Sequence, residues 1–194
     1  MQKKDVVEFF DRMAPQWDAD MIRHDDVIHM ILDNAGVKPG VRVLDVACGT
    51  GVLIPDYLER NVASVTGVDI SSEMVRIASE KFPQENVNFI CADVETVNFE
   101  EKFDCIMVYN AFPHFPEPEQ LIRALCANLE AGGTLTIAHG MSRAQIDHHH
   151  EGSASKVSVG LMSEHALAGM MRKYLDVTVK ISNDRMYQVT GVKR

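Results

Sequence analysis

The 194-residue sequence predicts a fold of the α/β class: a doubly wound, mostly parallel β-sheet with helices on both faces and an antiparallel closing strand. Short apolar runs typical of buried strands alternate with segments of helical periodicity, and parallel strands need such crossover helices. Hydrophobic residues make up 46% of the chain and charged residues 24%, which is ordinary globular composition. The length suits one domain, so we expect residues 1–194 to form a single unit.

The chain begins with a region of purely helical pattern. Apolar residues at helical spacing predict a helix over 5–13, and a second helix is predicted from Asp25 or Asp26 to Gly36. No strand pattern occurs in this region. We therefore interpret residues 1–36 as an N-terminal helical cap.

Beyond residue 40 the pattern changes to strands and helices in alternation. Strands are predicted at 41–46, 63–69, 87–91, 103–109 and 134–139, and helices at 53–60, 72–82 and 117–129, with a glycine turn at 131–133. A helix at 163–173 and strands at 177–181 and 186–192 close the chain. The polar residues 140–160 interrupt this rhythm, and we interpret them as a lid-like insertion.

Charge and cysteine content exclude several classes of protein. The net charge of −9 disfavours binding to nucleic acid or to an anionic membrane surface, and it suits a small, cationic ligand. The four cysteines are scattered, without a C-x-x-C pair, so neither a disulfide scaffold nor a zinc ribbon is expected. The sequence shows neither a signal peptide nor an apolar run that could span a bilayer, and we expect a cytoplasmic protein.

A glycine loop follows the first predicted strand. Gly49 and Gly51 allow the backbone to turn sharply and to approach a ligand closely. Asp69 ends the second strand, where a carboxylate can accept hydrogen bonds from both hydroxyls of a ribose. A Rossmann dinucleotide site would carry a third glycine where this chain has Ile54, which argues against a nicotinamide cofactor.

Five stretches of the sequence resemble class I S-adenosylmethionine-dependent methyltransferases. They are Val43-Leu44-Asp45-Val46-Ala47-Cys48-Gly49-Thr50-Gly51, Val68-Asp69-Ile70-Ser71, Ala92-Asp93-Val94, Phe103-Asp104 and Leu129-Glu130-Ala131-Gly132-Gly133-Thr134-Leu135. The segment from Phe10 to Asp18 is similar to the entry helix of the ubiquinone/menaquinone methyltransferase-like branch, also called methyltransferase type 11. The resemblance implies a Rossmann-like fold and S-adenosylmethionine as the cofactor.

The resemblance also implies roles for residues of the glycine loop. Asp45, Gly49 and Gly51 would surround the methionine part of the cofactor, together with Ala47, which stands where many members of the family have glycine. Trp17 could close over the cofactor. We favour a simpler interpretation of Trp17, as an anchor in the core.

Further roles are implied at the ends of the next strands. Asp69 would hold the ribose hydroxyls and Ile70 would pack on adenine. Asp93 would bond the adenine amino group, with Val94 beside it. Asn110, just past the fourth strand, would face both cofactor and substrate.

Three histidines are candidates for a catalytic base, because the unperturbed pKa of histidine lies near 6.5. His114 follows the fourth strand, His139 ends the fifth, and His149 lies in the polar insertion. His139 is the favoured candidate, since a strand end holds a side chain more rigidly than a loop does.

Two other interpretations of the histidine-rich segment stay open. With Asp147 and Glu151, histidines 148–150 could bind a divalent metal if the backbone there is irregular or if another histidine joins them, and we assign no metal ligand. The segment could equally be a solvated loop.

The sequence therefore predicts an enzyme that transfers a methyl group from S-adenosylmethionine to a small-molecule acceptor, held for in-line attack with a histidine as base. A nicotinamide-dependent oxidoreductase is one alternative, and a non-catalytic, cofactor-binding partner protein is another. The sequence indicates neither the acceptor nor the oligomeric state.

Overall fold

The structure, a computed structural model, describes residues 1–19, 21–150 and 156–194. Helix α1 (Lys3–Met13), a 3-10 turn (Ala14–Gln16) and helix α2 (Asp25–Asn34) precede the sheet. The remaining elements are β1 (Arg42–Val46), α3 (Ile54–Glu59), β2 (Ser64–Asp69), α4 (Ser72–Lys81), β3 (Val87–Cys91), β4 (Phe103–Tyr109), a 3-10 turn (Phe112–His114), α5 (Pro118–Ala127), β5 (Leu129–His139), α6 (Arg143–His150), α7 (Glu164–Met171), β6 (Leu175–Ser182) and β7 (Tyr187–Lys193).

The seven strands form one sheet in the order β3-β2-β1-β4-β5-β7-β6. Strands β1 to β5 pair in parallel, whereas β7 is antiparallel to both of its neighbours. The predicted fold class is therefore confirmed. The strand order reverses between β1 and β4, so a crevice opens there at the carboxyl ends of the strands.

Apolar side chains alternate between the two faces of the sheet and build a core on each. Val43 of β1 packs with Ile28 of α2 on one face, while Leu44 packs with Leu121 of α5 on the other. Burying each of these side chains contributes about 1.5–3 kcal/mol. Both faces of the central strands are thus covered, and the strand ends remain as the place where a ligand can enter.

Two regions differ from the sequence-based prediction. Residues 131–133 do not form a turn before the fifth strand, because β5 already begins at Leu129 and absorbs the glycines as a bulge. Within the predicted polar stretch, Ser142 accepts a hydrogen bond from the Gln145 N–H, and an eight-residue helix, α6, follows it. Within the described ranges, no helix has the length and apolar character needed to cross a bilayer.

Candidate active site

A cavity of about 340 Å³ lies at the carboxyl ends of β1, β2, β3 and β4. One face of α1 roofs it with Lys3, Val6, Phe10 and Met13, whose spacing of three or four residues places them on the same side of the helix. Neighbouring strands are about 4.8 Å apart, so the cavity runs roughly 14 Å from the end of β3 to the end of β4. It is therefore an elongated site with two distinct ends.

In the loop after β1, residues with small or no side chains expose their backbone to the middle of the cavity. Ala47 and Gly49 both adopt left-handed conformations, with φ of 53° and 56°. A Cβ on Gly49 would lie 3.7 Å from Nε1 of Trp17, so the indole stands directly over the loop. Trp17 lines the cavity and is only half-buried, which corrects its interpretation as a core anchor.

Asp69 lies behind this loop, at the end of β2. Its Oδ2 accepts a hydrogen bond from the Gly49 N–H at 2.9 Å, and its Oδ1 accepts one from the Ser71 N–H at 2.8 Å. Burial raises the pKa of Asp69, while the hydrogen bonds from Ser71 and Gly49 oppose that rise. Because each carboxylate oxygen can accept more than one hydrogen bond, Asp69 retains capacity for the hydroxyls of a ligand.

Asp45 and Gly51, which the sequence predicts to bind the cofactor, do not line this cavity. Asp45 is buried beneath the loop, and its Oδ2 has no hydrogen-bond partner among the described residues. Burial, and then the charge of Asp69, raises the pKa of Asp45 to about 8. Gly51 lies on the far side of the turn, where an added Cβ would come within 2.7 Å of the Phe82 ring.

The β3 end of the cavity combines apolar and charged groups. Ile70 and Val94 line it beside Asp93. Lys3 of α1 forms ion pairs with Asp93 and, at 2.6 Å, with Glu95. The side chain of Glu95 is 2% exposed, and its Oε1 has no hydrogen-bond partner within the described part of the chain. This end can therefore accept hydrogen bonds from a flat, mostly apolar group.

At the β4 end, His114 lines the cavity beside Asn110 and Tyr109. The Nδ1 of His114 lies 2.7 Å from the Val157 carbonyl oxygen, and its ring packs edge-on against Phe10 at 5.0 Å between centroids. Asn110 has a φ of 54°, and its Oδ1 accepts a hydrogen bond from the Gly140 N–H. Asn110 is thus held rigidly at the rim.

His139 does not reach this cavity, although the sequence favours it as the base. It is buried near the end of β5, directly opposite Tyr187 of β7, with 6.0 Å between the ring centroids. Residues 129–139 of β5 do not line the cavity, so His139 cannot reach an acceptor bound there. His149 lies in α6, and its side chain is outside the described residues.

The described residues contain no group of three His, Cys, Asp or Glu side chains that could hold a metal ion. Glu151, which the metal interpretation would require, lies outside the described residues.

Comparison with known proteins places these features in context. The family described as a methyltransferase domain matches residues 43–133, from β1 into β5. Malonyl-[acyl-carrier protein] O-methyltransferase of Acetivibrio thermocellus is 28% identical over 165 residues, which cover 82% of this chain and 58% of that protein. Ubiquinone biosynthesis O-methyltransferase of Coxiella burnetii is 35% identical over 99 residues, which cover 50% of this chain and 42% of that protein. The chain thus spans about half the length of the curated relatives it matches.

A solved structure shares the whole fold. Magnesium protoporphyrin IX methyltransferase (ChlM) from Synechocystis PCC 6803 with bound SAH superposes with a TM-score of 0.75 at 16% identity, covering 100% of both chains. Over residues 43–133 the chain is thus similar to S-adenosylmethionine-dependent methyltransferases of class I. Its curated relatives include ubiquinone and menaquinone methyltransferases, and the cofactor that the comparisons support is S-adenosylmethionine.

The residues of the cavity fit that cofactor. The apolar walls at Ile70 and Val94 suit an adenine ring. The buried carboxylates of Asp69 and Glu95 and the partly exposed one of Asp93 suit amino and hydroxyl donors of adenosine. Of the residues predicted to bind the cofactor, seven line the cavity: Ala47, Gly49, Asp69, Ile70, Asp93, Val94 and Asn110.

Sequence reasoning missed the residues of the roof. Lys3, Met21 and Arg23 all line this cavity, although they precede the first strand by 19 residues or more. The apolar stripe of α1 predicts a buried face but does not identify the surface that covers it.

Proposed function

We propose that this chain transfers a methyl group from S-adenosylmethionine to a small-molecule acceptor. The observation that carries the proposal is the continuous cavity with carboxylates at its β3 end and a histidine at its β4 end. When bound, S-adenosylmethionine supplies an electrophilic methyl group on a sulfonium ion. The work of the protein is to orient the two reactants and to exclude water.

Asp69 orients the cofactor in this proposal. Its carboxylate lines the cavity, where it can accept hydrogen bonds from ribose hydroxyls while the Gly49 and Ser71 amides hold it in place. Ile70 and Val94 enclose the adenine, and Asp93 accepts from its amino group. This arrangement directs the remaining part of the cofactor toward β4.

His114 is the proposed base for an acceptor that must lose a proton. A carbonyl oxygen only accepts hydrogen bonds, so the contact with Val157 requires that Nδ1 of His114 be the donor. In the neutral ring, Nε2 is then the nitrogen that can take up a proton. His149 stays a prediction, and we no longer propose His139.

The remaining assignments are inferences of the same kind. We infer a cytoplasmic protein, because its four cysteines, all in the described part of the chain, are free thiols. We infer that residues 1–194 act as one domain with 1–36 as its cap, since α1 roofs the cavity. The role of residues 140–160 as a lid stays a prediction.

Calorimetric titration with S-adenosylhomocysteine, the cofactor product, tests this proposal. Asp69→Asn should weaken binding by roughly 10- to 100-fold, because one hydrogen bond to a charged group contributes about 1.5–3 kcal/mol. Asp184→Asn is the matched control, since Asp184 is exposed and does not line the cavity. Equal affinity of wild type and Asp69→Asn, or no binding to wild type, contradicts the proposal. Release of S-adenosylhomocysteine from S-adenosylmethionine upon addition of acceptors then measures the transfer itself.

A further inference from the structure

Two carboxylates and one lysine meet at the β3 end of the cavity, and all three residues line it. Lys3 of α1 contacts both Asp93 and Glu95 with the same Nζ atom, so a single nitrogen can reach both carboxyl groups. Burial would lower the pKa of Lys3, but the hydrogen bonds that it donates to Asp93 and Glu95 raise that pKa above its ordinary value. Lys3 is therefore a cation at neutral pH.

The oxygens of these two carboxylates differ in how far they are already engaged. Asp93 uses both of its oxygens: Oδ1 accepts a hydrogen bond from the Glu95 N–H at 3.1 Å, and Oδ2 accepts one from Lys3. Glu95 uses one, because its Oε2 pairs with Lys3 at 2.6 Å, whereas its buried Oε1 has no hydrogen-bond partner in the described part of the chain. A buried oxygen without a donor is costly, so a ligand that brings a donor to it gains affinity.

An uncharged donor cannot replace Lys3 in this cluster. The side chain of Glu95 is 2% exposed, and a buried carboxylate is stable as an ion only beside a cation. The amino group of adenine is neutral, so it cannot take over the role of the Lys3 ammonium between two carboxylates. It has two N–H donors, however, and if one is directed to Asp93 the other remains for Oε1 of Glu95.

We infer that Glu95 is a further specificity-determining residue, which accepts a hydrogen bond from the adenine amino group at Oε1. Lys3 is a positioning residue that acts through Glu95, because it holds the buried carboxylate in place as an ion. The N-terminal cap thus contributes to the choice of base. This inference rests on the proposed function, which places adenine at the β3 end beside Ile70 and Val94.

Two ligands that differ at one position of the base test the inference without catalytic turnover. S-Adenosylhomocysteine carries an exocyclic amino group, whereas S-inosylhomocysteine carries a carbonyl oxygen at the same position, which accepts hydrogen bonds and cannot donate them. Isothermal titration calorimetry gives the dissociation constant of each ligand. Wild type should bind S-adenosylhomocysteine at least about 30-fold more tightly, because the carbonyl oxygen leaves the carboxylates without a donor.

Glu95→Gln should remove much of that preference. The carboxamide has nearly the same shape as the carboxylate, but its amino group can donate to the carbonyl oxygen of hypoxanthine. The ratio of the two affinities should therefore fall by about tenfold or more. Glu100→Gln is the matched control, since Glu100 is exposed and does not line the cavity, and the ratio should stay within about twofold of wild type. Circular dichroism checks that each variant is folded.

Lys3→Gln tests the positioning role, and it provides a second route if Glu95→Gln does not fold. Without its cation, the buried charge of Glu95 is costly to keep, so the affinity ratio should fall by about threefold or more. Lys4→Gln is the matched control. Lys4 is the next residue of the same helix, its side chain is 80% exposed, and it pairs with Glu8 rather than with the carboxylates of the cavity, so the ratio should not change.

Several results would overturn the inference. If wild type binds the two ligands equally well, or if Glu95→Gln leaves their ratio unchanged, Glu95 does not distinguish the bases. If Lys3→Gln leaves the ratio unchanged, Glu95 needs no cation, and if that variant binds S-adenosylhomocysteine more tightly than wild type does, Lys3 competes with adenine. Failure of wild type to bind S-adenosylhomocysteine at all would instead contradict the proposed function.

Discussion

The floor and the roof of the cavity are held in place by different kinds of interaction. The floor consists of the loop residues 45–49 and the end of β2, and parallel strand pairing fixes its backbone. The roof consists of α1 with residues 17 and 21–23, and side-chain contacts hold it down: Lys3 on Asp93 and Glu95, and Asp11 on Ser71. A substitution of a buried side chain in the floor, such as Asp45, should therefore alter stability strongly, whereas one in the roof should alter ligand exchange more than stability.

The largest effect is expected in the floor, at Asp45. Its folded-state pKa of about 8 exceeds the unfolded value of 3.8, so the folded protein binds one proton more between those pH values. The free energy of unfolding should therefore fall as the pH rises from about 4 to about 8, by roughly 2 kcal/mol or more. Asp45→Asn should remove much of this fall, as measured by urea unfolding at several pH values.

A control of opposite sign is available at the other end of β1. The Arg42 guanidinium hydrogen bond lowers the pKa of Asp104, so Asp104 contributes stability that is present at neutral pH and is lost in acid. Asp104→Asn should therefore lower stability at neutral pH. Between pH 4 and pH 8, the free energy of unfolding of Asp45→Asn could instead fall as steeply as that of wild type. That result would show that Asp45 is ionised in the folded protein.

The contrast between floor and roof also explains what the sequence could predict. The glycine loop and Asp69 follow from local pattern, because strand ends of a doubly wound sheet meet at one edge. The contact of Lys3 with Asp93 joins residues 90 positions apart, and no local periodicity encodes such a pair. The same limit applies to Trp17, whose position over Gly49 depends on how the cap folds back over the loop.

The histidines show a second limit. His114 follows β4 and His139 ends β5, and sequence alone favours His139 because a strand end holds a side chain more rigidly than a loop does. The choice depends on where the chain turns after each strand. The 3-10 turn at Phe112–His114 directs His114 back to the cavity, whereas pairing of β5 with β7 buries His139 beside Tyr187. Tertiary contacts decide both outcomes.

A smaller effect on stability is expected in the roof, at Asp11. Its Oδ1 accepts hydrogen bonds from the Ser71 hydroxyl at 2.6 Å and from the Glu73 N–H at 3.2 Å, which ties α1 to the start of α4. Asp11→Ala should lower the free energy of unfolding by about 1 kcal/mol. Because the roof is then less firmly held, S-adenosylhomocysteine should dissociate several-fold faster in stopped-flow measurements.

Glu8→Ala is the matched control for Asp11→Ala. Glu8 lies on the same helix, and its side chain is 66% exposed, with an ion pair only to Lys4 at 3.5 Å within the described chain. Its removal should leave both stability and dissociation rate nearly unchanged. If both variants release the ligand at the wild-type rate, the roof does not govern exchange, and the distinction between floor and roof holds for stability alone.

The smallest effect is expected at Ala47, where the floor itself is strained. Ala47 adopts a left-handed conformation at φ 53°, which costs a residue with a Cβ about 1 kcal/mol or more. Glycine adopts it freely but loses more entropy on folding, which offsets part of the gain. Ala47→Gly should therefore raise the free energy of unfolding by only about 0.5 kcal/mol, seen as a higher urea midpoint with an unchanged slope. Ala63→Gly is the control, at an exposed position without positive φ, and it should lower the free energy of unfolding by a similar amount. The two variants should change stability in opposite directions only if the loop is strained in the folded state.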